Sequence, residues 1–158
     1  MVAVDDRIRE INSSTYNPNS MTPPYDAIGF SVNELRNALK DIDDFEVLNT
    51  ILTDGLQNHS KEYTGDTIKK LVEEPKAQGW TFTYIGTDHD VYSQACTIAV
   101  TNVLVFNNTE MGTKEMFERE KKSREKYYSK ILDMKKEKLK IDFNNKFYED
   151  DDTKEKND

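Results

Sequence analysis

The stretch Val47-Leu-Asn-Thr-Ile-Leu-Thr-Asp-Gly55 lies at the centre of the fold prediction for this 158-residue chain. Its run of apolar and β-branched residues predicts a buried strand over residues 47–53, and the Asp54-Gly55 pair that follows is a turn signal. Asn49 departs from the apolar pattern of the strand. Its amide is expected either to soften an exposed sheet edge or to pair with a neighbouring backbone group.

Predicted helices lie on both sides of this strand. The helix before it carries an apolar stripe at alternating spacings of four and three residues, formed by Ile28, Val32, Leu35, Leu39 and Ile42. Thr22 precedes Pro23 and is expected to cap this helix or to stand just before it. The helix after the strand is predicted over residues 67–74, with Asp66 as its cap and Pro75 ending or kinking it.

Two more strands follow along the chain. Trp80-Thr-Phe-Thr-Tyr-Ile85 alternates aromatic and threonine residues, which predicts a second strand closed by Gly86. A short helix is predicted over residues 91–99 and a third strand over residues 103–106. Alternating strands and helices predict an α/β fold, with a three-layer, Rossmann-like parallel sheet and right-handed crossovers.

The two ends of the chain differ from this middle part. Residues 1–24 hold few periodic apolar positions and are expected to form a long loop. One long charged helix is predicted from Gly112 to about residue 141, with Glu120 and Arg124 interrupting a thin apolar stripe. This pattern favours a solvated helix docked by one edge over a coiled coil. From Tyr148 the acidic tail is expected to be disordered. The sequence thus divides into an α/β domain (1–109), a helical extension (110–147) and a tail (148–158).

Composition excludes several classes of function. The net charge of -8 disfavours binding to nucleic acid, because the chain repels phosphate backbones. Cys96 is the only cysteine, so the chain forms no internal disulfide, which fits a reducing cytoplasm. No signal peptide is expected at the start of the sequence, and no stretch approaches the roughly 18 apolar residues of a membrane span.

Four segments, taken in order, resemble the von Willebrand factor type A (VWA) domains of bacterial cytoplasmic proteins. They are Tyr16-Asn-Pro-Asn-Ser-Met-Thr-Pro-Pro-Tyr-Asp-Ala-Ile-Gly29, Thr50-Ile-Leu-Thr-Asp-Gly-Leu-Gln-Asn-His-Ser60, Gly79-Trp-Thr-Phe-Thr-Tyr-Ile-Gly86 and residues 88 to about 128. Each motif alone is weak, but their order and spacing over roughly 110 residues are more specific. The resemblance implies the C-terminal part of a VWA fold.

VWA domains bind a divalent cation at a metal-ion-dependent adhesion site, and through it an acidic side chain of a protein partner. The resemblance assigns Thr22 and Asp54 as ligands of such a site. The family's third loop, Asp-x-Ser-x-Ser, is absent from this sequence. Mg²⁺ takes six oxygen ligands, so two side chains imply weak binding, on the order of millimolar.

Simpler structural roles also fit these two residues and several further polar ones. Thr22 fits a helix cap, and Asp54 fits an ordinary turn. His59 and His89 suggest zinc, but they follow different strands and lack a clear third ligand. Asp88 and Asp90 are more typical of a solvated turn than of a catalytic pair, and Cys96 is more typical of a small core residue than of a nucleophile.

The VWA resemblance also predicts an open sheet edge. In that fold the first strand lies beside the strand predicted at residues 47–53, so its absence leaves unpaired backbone groups. The edge is expected to pair with a separately encoded N-terminal half-domain or with a second copy; if it pairs with nothing, the chain is expected to aggregate or to be a gene remnant. The leading function is therefore a protein-binding module with an incomplete metal site. A metal-independent scaffold, or a fragment of a longer VWA protein, is the alternative, and a hydrolase built on Asp54 ranks last.

Overall fold

The computed structural model describes residues 12, 14, 23–54, 59–87, 90–137 and 147–148. Helices and strands alternate along these residues in the order α1 (Pro24–Leu39), β1 (Leu48–Leu52), α2 (Gly65–Ala77), β2 (Thr81–Gly86), α3 (Val91–Thr97), β3 (Asn102–Val105) and α4 (Glu110–Lys136). The fold is therefore mixed α/β, with a long helix after the last described strand, as the sequence predicts.

The three described strands form one parallel sheet in the order β1-β2-β3. Leu48 of β1 lies opposite Thr81 of β2, and Thr83 of β2 lies opposite Asn102 of β3. Consecutive parallel strands need a helical crossover, and α2 and α3 supply the two crossovers here. The predicted parallel sheet is confirmed, and β1 stands at its edge among the described strands.

Helices cover both faces of this sheet. On one face, α1, α2 and α3 bury a core around Val32, Ile68, Phe82 and Ala95. On the other face, Ile85 and Leu104 pack with Met116 of α4 and with Phe147 and Tyr148. All six residues of β2 are buried, because helices lie above and below the middle strand. This arrangement gives the three layers of a Rossmann-like fold.

The structure corrects some predicted boundaries of α1 and α2. Ile42 lies beyond the end of α1 and is half exposed, so it does not belong to the helical stripe. The N-cap of α2 is Thr64 rather than Asp66, and its hydroxyl forms a reciprocal capping box with Thr67. Pro75 lies inside α2, which continues to Ala77, because a proline in the last turn costs few helical hydrogen bonds.

The remaining elements also differ in detail from the sequence predictions. α3 ends at Thr97, two residues before the predicted limit, and Cys96 on it is exposed, so its assignment to the core is wrong. Tyr148, the first residue of the predicted tail, is buried, whereas residues 149–158 lie outside the described residues. Within the described part of the chain, every helix is too short or too polar to cross a membrane.

Candidate functional site

Of the two residues predicted to bind a metal ion, one lies among the described residues. Thr22 lies outside the described residues. Asp54 is exposed and lies two residues after the end of β1, and its backbone carbonyl accepts a hydrogen bond from the Thr87 hydroxyl at 3.4 Å. It therefore lies at the carboxyl end of the strands, which is the end of the sheet where parallel α/β folds usually bind ligands.

The described residues do not by themselves form a magnesium site. Magnesium requires near-octahedral oxygen coordination, and Asp54 is the one predicted ligand whose position is described. Among the described ranges, no group of three or more His, Cys, Asp and Glu side chains could hold a metal ion. His59 is exposed, whereas Asp88 and His89 lie outside the described residues. No arrangement among the described residues therefore assembles a magnesium site around Asp54 or a zinc site around His59.

The outer edge of β1 is open among the described strands of the sheet. Thr81 N–H donates to the Val47 carbonyl at 2.8 Å, and Thr53 N–H donates to the Ile85 carbonyl at 3.0 Å. Backbone groups of successive residues in a strand point to opposite edges. The N–H and C=O groups of Leu48, Thr50 and Leu52 therefore face away from β2, and no strand among the described residues pairs with them.

A groove lies on each side of this edge. The first, here called the α1 groove, separates β1 from α1 and has a volume of about 390 Å³. Its walls are mostly apolar, with Ala27 and Ile28 on the helix and Ile51 on the strand. Asn49 lies on the same side and donates a long hydrogen bond of 3.5 Å to the Ser31 hydroxyl. The Asn49 amide thus pairs with a neighbouring side chain at the open edge.

The second groove, here called the α4 groove, separates β1 from α4 and has a volume of about 320 Å³. Three large side chains line it while keeping much of their surface exposed: Leu52 at 51%, Phe117 at 55% and Tyr128 at 41%. Exposed apolar side chains that cluster beside a groove are typical of an interaction surface. The open edge therefore offers apolar contacts on both faces of the sheet.

One charged pair forms part of the α4 groove. Glu120 is 4% exposed, and its carboxylate accepts hydrogen bonds from Nε of Arg124, at 3.0 Å, and from Nη2 of the same residue. The hydrogen bond to Glu120 raises the pKa of Arg124, which favours the charged form of the guanidinium. Glu120 stands where the sequence predicts an interruption of the apolar stripe of α4, and its side chain is buried there rather than exposed to solvent.

Acidic residues gather at the N-terminal end of β1. Asp41, Asp43 and Asp44 are exposed in the loop from α1 to β1, and Glu46 follows them. Lys135 of α4 reaches this loop, with Nζ at 2.7 Å from Asp44 and 3.3 Å from Glu46. The hydrogen bond with Asp44, together with Glu46, raises the pKa of Lys135. The loop between α1 and β1 is thereby tied to the end of α4.

Asp26 is an important polar residue that the sequence interpretation missed. Its carboxylate accepts hydrogen bonds from the backbone N–H groups of Lys61 (2.8 Å), Glu62 (3.0 Å) and Tyr63 (3.0 Å). In return, the Ser60 hydroxyl accepts hydrogen bonds from the N–H groups of Tyr25 and Asp26. This reciprocal capping fixes the segment after β1 to the start of α1, so we interpret Asp26 as a structural residue.

Comparisons with protein-family models, curated proteins and solved structures give no match for this chain.

Proposed function

We propose that this chain is a protein-binding module in which the outer edge of β1 pairs with an extended segment of a partner chain. The observation that supports this function is the edge itself. Its outward backbone groups have no strand partner among the described residues, and a groove lies on each side of it. Added strands bind by main-chain hydrogen bonds and gain specificity from pockets for alternate side chains.

The geometry of the edge fits such a segment in its main-chain hydrogen bonds and in its side-chain pockets. Residues of an added strand would point alternately into the α1 groove and the α4 groove, because successive side chains lie on opposite faces of a sheet. Each new backbone hydrogen bond contributes roughly 0.5–1.5 kcal/mol net. Burial of Leu52, Phe117 and Tyr128 would add about 25 cal/mol for each Å² of apolar surface removed from water.

The VWA resemblance is part of this proposal. A parallel sheet with Asp54 at the carboxyl end of β1, and an open edge beside that strand, agrees with the proposed C-terminal part of a VWA fold. In that family a metal-bound acidic side chain of the partner would be recognised near Asp54. The described residues do not form that metal site, so the proposed strand pairing does not depend on it. The proposed setting is the cytoplasm, since Cys96 is the only cysteine.

The test uses a synthetic peptide with a core of alternating valine and threonine, added to the ¹⁵N-labelled full chain. We expect the amide signals of Leu48, Thr50 and Leu52 to shift most, because their N–H groups face the open edge. The same peptide with N-methyl groups on alternate residues keeps its side chains but cannot form one row of hydrogen bonds. We expect it to bind at least tenfold more weakly.

A pair of protein variants separates backbone pairing from side-chain contact. Thr50→Pro removes an outward N–H group, and proline is tolerated on edge strands. Thr50→Val keeps the N–H group but, like the proline, loses the hydroxyl that accepts a hydrogen bond from Thr83 at 3.0 Å. We expect Thr50→Val to bind the peptide and Thr50→Pro to lose it. Equal binding of the peptide and its N-methylated form would contradict the proposal, whether or not Thr50→Pro folds.

A further inference from the structure

We infer that the β1 edge selects a segment with lysine or arginine residues beside its apolar core, at the end that lies against residues 41–46. This inference rests on the proposed strand pairing and adds the chemistry of the partner. It is carried by the charge distribution around the edge.

The loop that leads into β1 carries an excess of negative charge. Its four carboxylates, from Asp41, Asp43, Asp44 and Glu46, lie near two ammonium groups. Lys40 is 3.9 Å from Asp41, and Lys135 contacts Asp44 and Glu46. Two negative charges remain in excess, and the whole chain carries a net charge of -8. The ammonium group of an incoming lysine would therefore meet an attractive potential at this end of the edge.

Helix α1 extends the acidic surface along the same side. Ser31 of α1 lines the α1 groove, and Glu34 follows it by three residues, the spacing that places two side chains on one helical face. Glu34 is exposed. The apolar part of the groove, beside Ile51, is thus followed toward the start of β1 by carboxylates. A segment with an apolar core and a basic flank matches this order of an apolar and then an acidic surface.

A second copy of this chain fits the same edge poorly. Two identical edge strands related by a two-fold axis pair antiparallel, and a register centred on Thr50 places Leu48 opposite Leu52 of the other copy. The same register places Glu46 opposite Asp54 of the other copy. Like charges directly opposite one another destabilise a sheet, and both copies carry the same net charge of -8. The charges therefore favour a different, basic partner.

Three peptides with one shared valine–threonine core test this inference: one flanked by three lysines, one by three glutamates and one by three serines. The lysines are placed at either end in separate syntheses, so the direction of pairing need not be known. We expect the better lysine peptide to bind at least tenfold more tightly than the glutamate peptide. Raising the salt concentration from 0.1 M to 1 M should reduce its advantage over the serine peptide, because the screening length falls from about 10 Å to about 3 Å.

The variant Asp43→Asn/Asp44→Asn locates the selectivity. We expect it to weaken the lysine peptide by about fivefold, since exposed charge pairs contribute modestly, and to leave the serine peptide unchanged. The matched control is Glu62→Gln/Glu73→Gln, which removes the same charge from exposed positions outside the edge. We expect this control to bind the lysine peptide within about twofold of the unmodified chain.

Each other outcome has a definite meaning. If all three peptides bind equally and only the N-methylated form fails, strand pairing stands and the basic preference is wrong. If no peptide binds and the chain is a dimer in sedimentation, the edge is occupied by a second copy. If peptides bind only after residues 1–11 are deleted, a segment of the chain itself covers the edge. Each of these three results would overturn the inference.

Discussion

Asp26 shows how one carboxylate can organise two distant segments. Its oxygens accept three backbone N–H groups from residues 61–63, and the bond from Lys61 is the largest cause of the lowered pKa of this carboxyl. Backbone N–H groups in a loop need partners, and a charged acceptor binds them more strongly than a neutral one. The ionised form of Asp26 is therefore the form that holds the loop after β1 against α1.

The first prediction concerns pH. A carboxyl whose pKa is lower in the folded state adds stability that is present above its ordinary value of 3.8 and is lost as pH falls through the folded value. We expect Asp26→Asn to lower the melting temperature at pH 7. The difference between the variant and the unmodified chain should shrink as pH falls below 3.8. Thermal unfolding followed by circular dichroism from pH 2.5 to 7 measures this difference.

The control for that experiment is Glu62→Gln, which removes an exposed carboxylate from the same loop while leaving its backbone N–H bound to Asp26. We expect its melting temperature to follow that of the unmodified chain at every pH. A constant difference between Asp26→Asn and the unmodified chain over the whole pH range would contradict the assigned role.

The sequence alone could not reveal this role. Asp26 belongs to the Asp-Ala-Ile-Gly motif at the start of a helix, where an acidic residue usually interacts with the helix dipole. Its actual partners are about 35 residues away along the chain. Local spacing can indicate caps within one helix, such as the box that Thr64 and Thr67 form at the start of α2. It cannot predict which loop folds back onto that helix.

At the scale of elements, strands were predicted better than the faces of helices. The alternation in residues 80–85 predicted β2, yet both of its faces are buried. The Thr81 hydroxyl is 2.8 Å from the Tyr127 hydroxyl, and the Thr83 hydroxyl donates to Thr50. Threonines can serve in a buried strand when their hydroxyls are paired. Such pairing depends on α4 and β1, so the pattern of β2 alone could not show it.

The buried face of helix α4 was predicted less well than the strands. Its sequence predicted an apolar stripe that Glu120 interrupts, and it included Phe117, which is exposed. In the structure Met116, Glu120 and Ile131 are buried on one face. The rule that charged residues face solvent fails here because Arg124, one turn later, pairs with Glu120. Burial of a paired charge cannot be predicted from hydrophobicity alone.

The second prediction tests this pair. Arg124→Met leaves the Glu120 carboxylate buried without its partner, which we expect to cost about 1–3 kcal/mol. This value lies below the 3–5 kcal/mol typical of fully buried pairs, because the Arg124 side chain is 52% exposed and its charge is partly screened by water. The double variant Glu120→Leu/Arg124→Met should recover most of the loss, since apolar replacements of buried pairs are often neutral. Urea unfolding gives the free energies.

The exposed pair of Lys121 and Glu125, 4.0 Å apart on the same helix, provides the control. Glu125→Gln should change the free energy of unfolding by less than about 0.5 kcal/mol. If Arg124→Met is no more destabilising than Glu125→Gln, the carboxylate of Glu120 does not require its guanidinium partner in the folded chain.

At the scale of the whole molecule, the alternation of strands and helices predicted the parallel α/β architecture, because periodicity and element order constrain how strands can connect. The position of β1 at an edge was implied only by the VWA resemblance, and it holds among the described strands. The candidate site was less predictable. The turn signal correctly placed Asp54 at the end of a strand, but the two grooves arise from packing between α1, β1 and α4, which no local pattern encodes.

The third prediction concerns magnesium and the folded chain as a whole. A ligand that binds only the native state stabilises it by RT ln(1 + [L]/Kd), so 5 mM Mg²⁺ with a Kd of about 5 mM would add roughly 0.4 kcal/mol. For a chain of this size, that corresponds to about 1–2 °C in melting temperature. We expect no larger shift, because Asp54 is exposed and the sequence lacks the Asp-x-Ser-x-Ser loop that would supply further oxygen ligands. Asp90→Ala serves as the control for Asp54→Ala, because it removes an exposed carboxylate that follows β2 rather than β1. Sodium chloride of equal ionic strength controls for screening. A rise of more than about 5 °C that Asp54→Ala abolishes and Asp90→Ala preserves would mean that further oxygen ligands complete a true metal site around Asp54.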